Sequence, residues 1–282
     1  MIAAFEEAGV IVLERGWLSS NSILFGAANP DHETVLVDTG YWIHAPQTVA
    51  LVRRLLGERP LHRIVNTHLH SDHCGGNHAL QQAYGCALDV PSGEADKVDR
   101  WDEDKLTYRE TGQGCPRFER TGVLQAGTEI ELAGRRWQVL ASPGHDPESM
   151  VLYEPELELL ISADALWQNG FGIVFPEVEG GAHGFDAVRA TLDRLAALRA
   201  ANHLEVGGGG RGEIHKISAA SVMFAADTMN KVLNEAVQIH GGYGYIWESE
   251  VNRLYRTIKL LEIGAGTTEV RKIIISDELL RG

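Results

Sequence analysis

Three cysteines in 282 residues, Cys74, Cys86 and Cys115, are too few and too odd in number for a disulfide framework. A reducing cytoplasm suits them. Basic side chains are also scarce: 25 Lys and Arg stand against 39 Asp and Glu, for a formal net charge of −14. A nucleic-acid partner needs a basic footprint, so none is expected. No apolar run approaches the roughly 18 residues of a membrane span. The opening "MIAAFEEAGVIVLERG" lacks the basic segment and long apolar stretch of a secretory signal. What remains is an acidic, cytoplasmic protein whose expected partner is a small molecule. Its 44% hydrophobic and 23% charged residues are ordinary for a globular chain.

The first 200 residues alternate strand-like and helix-like patterns. "GVIVLERG", "NSILFG" and "TVLVDTG" are β-branched or apolar runs closed by Gly or Pro. "APQTVALVRRLLGE" (45–58) has apolar residues at helical spacing. "LHRIVNTH" is a short strand, and "GGNHALQQAYG" a helix. Residues 92–120 have no clear period and are expected as helix and loop over a site. Strand-like runs return at 128–141, 149–153, 157–162 and 171–175, and "FDAVRATLDRLAALRA" (185–200) is an amphipathic helix. This is a layered α/β pattern. Gly207–Gly210 then interrupt it, since four glycines hold neither helix nor strand well. The expected division is 1–200, a linker over 201–211, and an all-helical segment over 212–282. In that last segment Met223, Ala226, Met229, Leu233 and Val237 make one apolar stripe. Val251, Leu254, Ile258 and Leu261 make a second, and Val270, Ile273 and Ile274 begin a third.

The densest chemistry lies in "HLHSDH". His68, His70, Asp72 and His73 offer imidazole nitrogens and a carboxylate, all suitable ligands for Zn²⁺. Residues two apart on extended backbone point the same way, so His68 and His70 can share one ion. Asp72 and His73 follow the turn and can address a second. Local residues alone do not close such a site. "ASPGHD" supplies His145 after a strand and a Pro-Gly turn, and "LLISADAL" supplies Asp164 at a strand end.

With "VLVDTG", "HLHSDH", "PGHD" and "ISAD" in this order, residues 8–200 resemble the metallo-β-lactamase fold family of metal-dependent hydrolases. The resemblance implies an αββα sandwich with the site at one edge of its two sheets. It also implies that His68, His70 and His145 hold the first metal, Asp72 and His73 the second, and that Asp164 bridges both. Zinc is the expected cofactor, with iron or manganese compatible with the same ligands. Asp72 would orient the water and shuttle its proton to the leaving group. The implied substrate is an ester, thioester or lactone. Trp101, Trp167, Phe171 and Phe175 are candidates for an apolar pocket, Trp167 and Phe171 the better placed. Asp38 is expected to bond its own turn or the ligand loop, Cys74 to fill space, and His62 and His78 to be structural.

The family pattern is incomplete. It normally ends with a further strand and a Pro-Gly-His, but here the helix runs into "ANHLEVGGGGRG". The last strand and helix are missing, and only His203, or more remotely His183, could substitute. From about residue 211 the chain instead resembles the end of acyl-CoA dehydrogenases, through "QIHGGYGY" and "GTTEVRKIII". Ala265 stands where many of those enzymes carry a catalytic Glu, and their flavin-holding domains have no counterpart here. The helices offer a cover for a sheet edge, a loose appendage, or a surface for a homo-oligomer. Three functions stay open: a zinc hydrolase, a flavin-dependent acyl-CoA dehydrogenase-like protein, and an inert metal-binding remnant. With one neutral ligand lost, one metal is expected to be tight and the other weak. Metal analysis after dialysis should give one retained equivalent, and two would overturn this.

Overall fold

The computed structural model describes residues 2–16, 19–167, 184–205, 211–264 and 267–281. It divides into two compact units, 1–191 and 192–282.

The first unit is built on two sheets. A short helix α1 (Ile2–Glu7) leads into β1 (Val10–Leu13), β2 (Ser22–Phe25) and β3 (Val35–Val37). Helix α2 (Ala45–Leu56) has Pro46 in its first turn and Gly57 beyond its end, and buries Thr48, Val52 and Leu56. Next come β4 (Arg63–Val65), the one-turn helix α3 (Ser71–Cys74) and α4 (Asn77–Tyr84). They are followed by β5 (Ala87–Pro91), α5 (Ala95–Arg100), α6 (Tyr108–Thr111) and β6 (Gly122–Leu124). Strands β1 to β6 form one sheet in sequence order. Its first two pairings are antiparallel and its last three parallel. The second sheet is wholly antiparallel, in the order β10-β9-β8-β7. Its strands are β7 (Glu129–Leu132), β8 (Arg135–Ala141), β9 (Met150–Glu154) and β10 (Leu159–Ile161).

Period-two alternation sorts the first sheet's side chains into two cores. Leu24, Leu36, Ile64 and Leu88 pack on its helical side. Phe25, Val35, Val37 and Val65 face the second sheet, with Trp137, Val139 and Leu152 across from them. Phe25 meets Trp137 edge-on at 5.3 Å between ring centroids, a favoured aromatic geometry.

The observed elements agree with most of the expected ones. Strands β5 and β6 and helix α1 have no counterpart among those expectations. Residues 92–120 are partly core: Leu106, Tyr108 and Phe118 are buried. Trp101 packs on Tyr108 and Phe118, which places it in that core rather than in a substrate pocket. The expected strand at 171–175 and the aromatics Phe171 and Phe175 lie outside the described residues. Helix α7 (Gly184–Glu205) continues five residues into the stretch assigned to a linker, and Gly207–Gly210 lie outside the described residues.

The second unit is helical. Helix α8 (Arg211–Ile239) buries Ala226, Met229 and Leu233. Residues Gly241–Tyr245, expected as a break, form the short helix α9. Helices α10 (Glu250–Ile263) and α11 (Thr268–Arg281) both pack on α8. The buried Arg271 donates to the carbonyls of Leu261 (2.8 Å) and Gly264 (3.0 Å), satisfying acceptors that the end of α10 would otherwise leave open. No helix among the described residues is long and apolar enough to cross a membrane.

Phe25→Ala should cost the first unit about 3–5 kcal/mol, the range for emptying an aromatic core site. Urea unfolding at equilibrium measures this, and a loss under about 1 kcal/mol would contradict the core position.

Candidate metal centre

Parallel pairing of β3 with β4 brings Val37 level with Val65, so the chain leaves both strands at the same sheet end. Asp38 follows β3 and the histidine run follows β4. Asp38 is buried and ties the two exits together. Thr67 donates to it twice, backbone N–H to Oδ1 (2.9 Å) and hydroxyl to Oδ2 (2.8 Å). His73 donates Nδ1–H to Oδ2 at 2.7 Å. Asp38 therefore serves the ligand loop, as expected. It holds φ at +56°, a left-handed backbone that L residues other than Asn and Asp seldom adopt. The paired glycines behind α3 also have a steric reason. A Cβ on Gly75 would stand 2.4 Å from Trp42 N, and one on Gly76 2.5 Å from the Thr39 carbonyl oxygen. Only Gly lets the ligand helix sit this close to the segment after β3.

Around this scaffold the imidazoles crowd together. Ring centroids of His68 lie 4.7 Å from His70, 4.0 Å from His73 and 5.3 Å from His145. His70 Nδ1 is 2.8 Å from His145 Nε2. Asp164 arrives on a short turn after β10, with Oδ2 3.1 Å from His145 Nε2 and 3.4 Å from His73 Nε2. Two triads thus have ligand atoms mutually within 4.8 Å: His68, His70 and His145, and His68, His73 and Asp164. Asp72 belongs to neither triad. It is the most exposed of the six, with Oδ2 3.7 Å from His73 Nε2.

The polar bookkeeping fits a cation. His68 and His73 are fully buried, yet Nε2 of each has no hydrogen-bond partner. A buried, unsatisfied nitrogen costs about 1–3 kcal/mol. His145 Nε2 approaches both an imidazole nitrogen and a carboxylate, but a ring nitrogen carries at most one proton. Lone pairs converging in this way match the donor set of a divalent ion. Burial, reinforced by neighbouring imidazoles, depresses the His68 pKa and favours the neutral, ligating form. Burial likewise lowers that of His70. At His73 burial opposes the charge, but Asp38 and Asp164 outweigh it and raise the pKa. At Asp164 burial is again opposed, here by the adjacent His145 and His73 rings, and the carboxyl is held well below the usual range.

The centre opens into a cleft of about 790 Å³, lined by His70, Asp72, Asp164, Tyr108, Gln113 and Trp167 among others. Trp167 does reach the cleft. Cys74 is a buried space-filler beside Tyr108, and His62 and His78 make structural bonds with Thr34 and the Arg117 carbonyl. His183 and the side chain of His203 lie outside the described residues. Sequence reading missed Asp146, whose Oδ2 is 3.7 Å from His70 Nε2, although it adjoins His145. It also missed Gln113, bonded by the Ser71 hydroxyl, for which no local pattern gives a signal.

Residues 15–203 match the family model for the metallo-beta-lactamase superfamily. The chain belongs to this superfamily. Residues 186–280 match a second model, the acyl-CoA dehydrogenase C-terminal domain. A hydroxyacylglutathione hydrolase of Hyphomonas neptunium (strain ATCC 15444) is 30% identical over 176 residues, 62% of this chain and 56% of that protein. A 3-(aryl)acrylate reductase of Clostridium sporogenes (strain ATCC 15579) is 41% identical over 66 residues, 23% of this chain and 18% of that protein. The chain therefore spans little more than half of one relative and under a fifth of the other. A solved metallo-beta-lactamase family protein from Thermus thermophilus superposes with a TM-score of 0.56 at 24% identity, over 68% of this chain and 70% of its own. That likeness establishes the αββα fold expected from the sequence.

Asp38→Ala should weaken metal affinity about 10–100-fold, as loss of a ligand's supporting carboxylate does. Competition with a chromophoric chelator measures this; unchanged affinity would show that the bonds from Asp38 do not orient His73.

Proposed function

We propose that this superfamily member is a metal-dependent hydrolase acting on an ester, thioester or lactone. One observation carries the reading: two candidate ligand triads share His68 and converge where buried nitrogens have no hydrogen-bond partner. His68, His70 and His145 would hold one ion, Asp72 and His73 a second, with Asp164 between them. Zinc is the proposed metal, with iron and manganese as alternatives. A divalent ion bound there lowers the pKa of water to about 7 and polarises a carbonyl.

The chain's own residues supply the rest. Asp72 faces the cleft and, being the most exposed of the six, can accept a proton from an attacking water and pass it to the leaving group. Asp38 fixes the His73 ring through Nδ1 and so presents Nε2 to the centre. The largely apolar rim, including Val12, Leu160 and Trp167, can take an acyl arm and exclude water. The hydroxyacylglutathione hydrolase relative supports a thioester among the candidates. A flavin-dependent dehydrogenase is disfavoured, because the chain matches the 3-(aryl)acrylate reductase over only 66 residues.

Metal quantification coupled to a panel of esters, thioesters and lactones tests the proposal. Turnover should follow metal content. His70→Ala should reduce it on the order of 10²–10³-fold or more, the scale of losing one electrostatic contact to the transition state. Bound metal without turnover on any member would favour the inert remnant instead.

A further inference from the structure

We propose that Trp167 is a positioning residue, whose indole N–H holds the Asp164 carboxylate in the plane that turns one oxygen to the histidines. The inference rests on the metal-centre reading above and deepens it. The two carboxylate oxygens have different surroundings. Oδ2 faces His145 Nε2 and His73 Nε2, at 3.1 and 3.4 Å. Oδ1 accepts the Trp167 Nε1–H at 3.0 Å. A carboxylate torsion is broad, so without a donor the plane could rotate and swing its oxygen off the histidines. One directed N–H narrows that rotation.

The turn that carries both residues is organised to hold this contact. Ala163 adopts φ +44°, a left-handed conformation costly for a residue with a Cβ. The Ala165 N–H donates to the Ser162 carbonyl (3.0 Å), and the Ser162 hydroxyl closes the turn on the Leu166 carbonyl (2.9 Å). Asp164 and Trp167 then lie three residues apart with their polar atoms facing. Core packing does not set the Trp167 ring, which is 49% exposed on the cleft wall. The bond to Asp164 Oδ1 is the polar contact that orients it.

The test is Zn²⁺ competition against a chelator, on the full chain as wild type, Trp167→Phe and Trp167→His. Phe keeps an aromatic wall and loses the donor, so affinity for the more weakly held ion should fall about 10–100-fold. His restores a ring N–H and should recover part of that loss. In the wild type, the NMR resonance of the Trp167 indole N–H should move when zinc is stripped. This readout keeps the inference testable even if a variant folds poorly. Affinities for Trp167→Phe within about twofold of wild type, or an indole resonance indifferent to zinc, would overturn the inference. Failure of the wild-type chain to bind zinc at all would overturn the metal-centre reading along with it.

Discussion

Two buried imidazole nitrogens with no hydrogen-bond partner, one on His68 and one on His73, are the constraint around which the first unit is arranged. A fold tolerates such atoms only where surrounding structure holds them in place. The holding is done by Asp38, which links the exits of two adjacent parallel strands and grips His73 on its far side. The sheets supply a rigid floor, and the loops leaving their ends supply the clustered histidines and carboxylates, a division of labour common to α/β folds.

Legibility in the sequence follows distance along the chain. His68, His70, Asp72 and His73 could be read from local spacing because extended backbone and a single turn aim them without help from elsewhere. The roles of His145 and Asp164 needed the family pattern, because nothing near either residue reveals a partner more than seventy residues away. Gln113 has no signal of that kind, since a tertiary loop brings it to the cleft, whereas Asp146 adjoins His145 and reaches His70. Among the elements, β5 was obscured by Asp89 and Pro91, and β6 is only three residues long. Trp101 misled because an aromatic in a polar stretch suits a pocket as well as a core. Only packing against Tyr108 and Phe118 decides between them.

The two family matches overlap across residues 186–203, so both claim helix α7. The contact boundary at 191/192 also falls inside it. A helix suits such a join, since its backbone satisfies its own hydrogen bonds whichever unit packs on its side chains. Within the second unit, Arg271 closes the end of α10 with its guanidinium, so that region caps its helices from its own side chains.

The left-handed backbone at Asp38 sets local strain against bonding at one position. Glycine would relax the backbone there, but it would leave the buried Thr67 and His73 donors without their acceptor. Three accepted hydrogen bonds outweigh one uncomfortable φ. An aspartate held in a conformation that glycine adopts more readily therefore marks a place where the backbone is bent to serve a side chain.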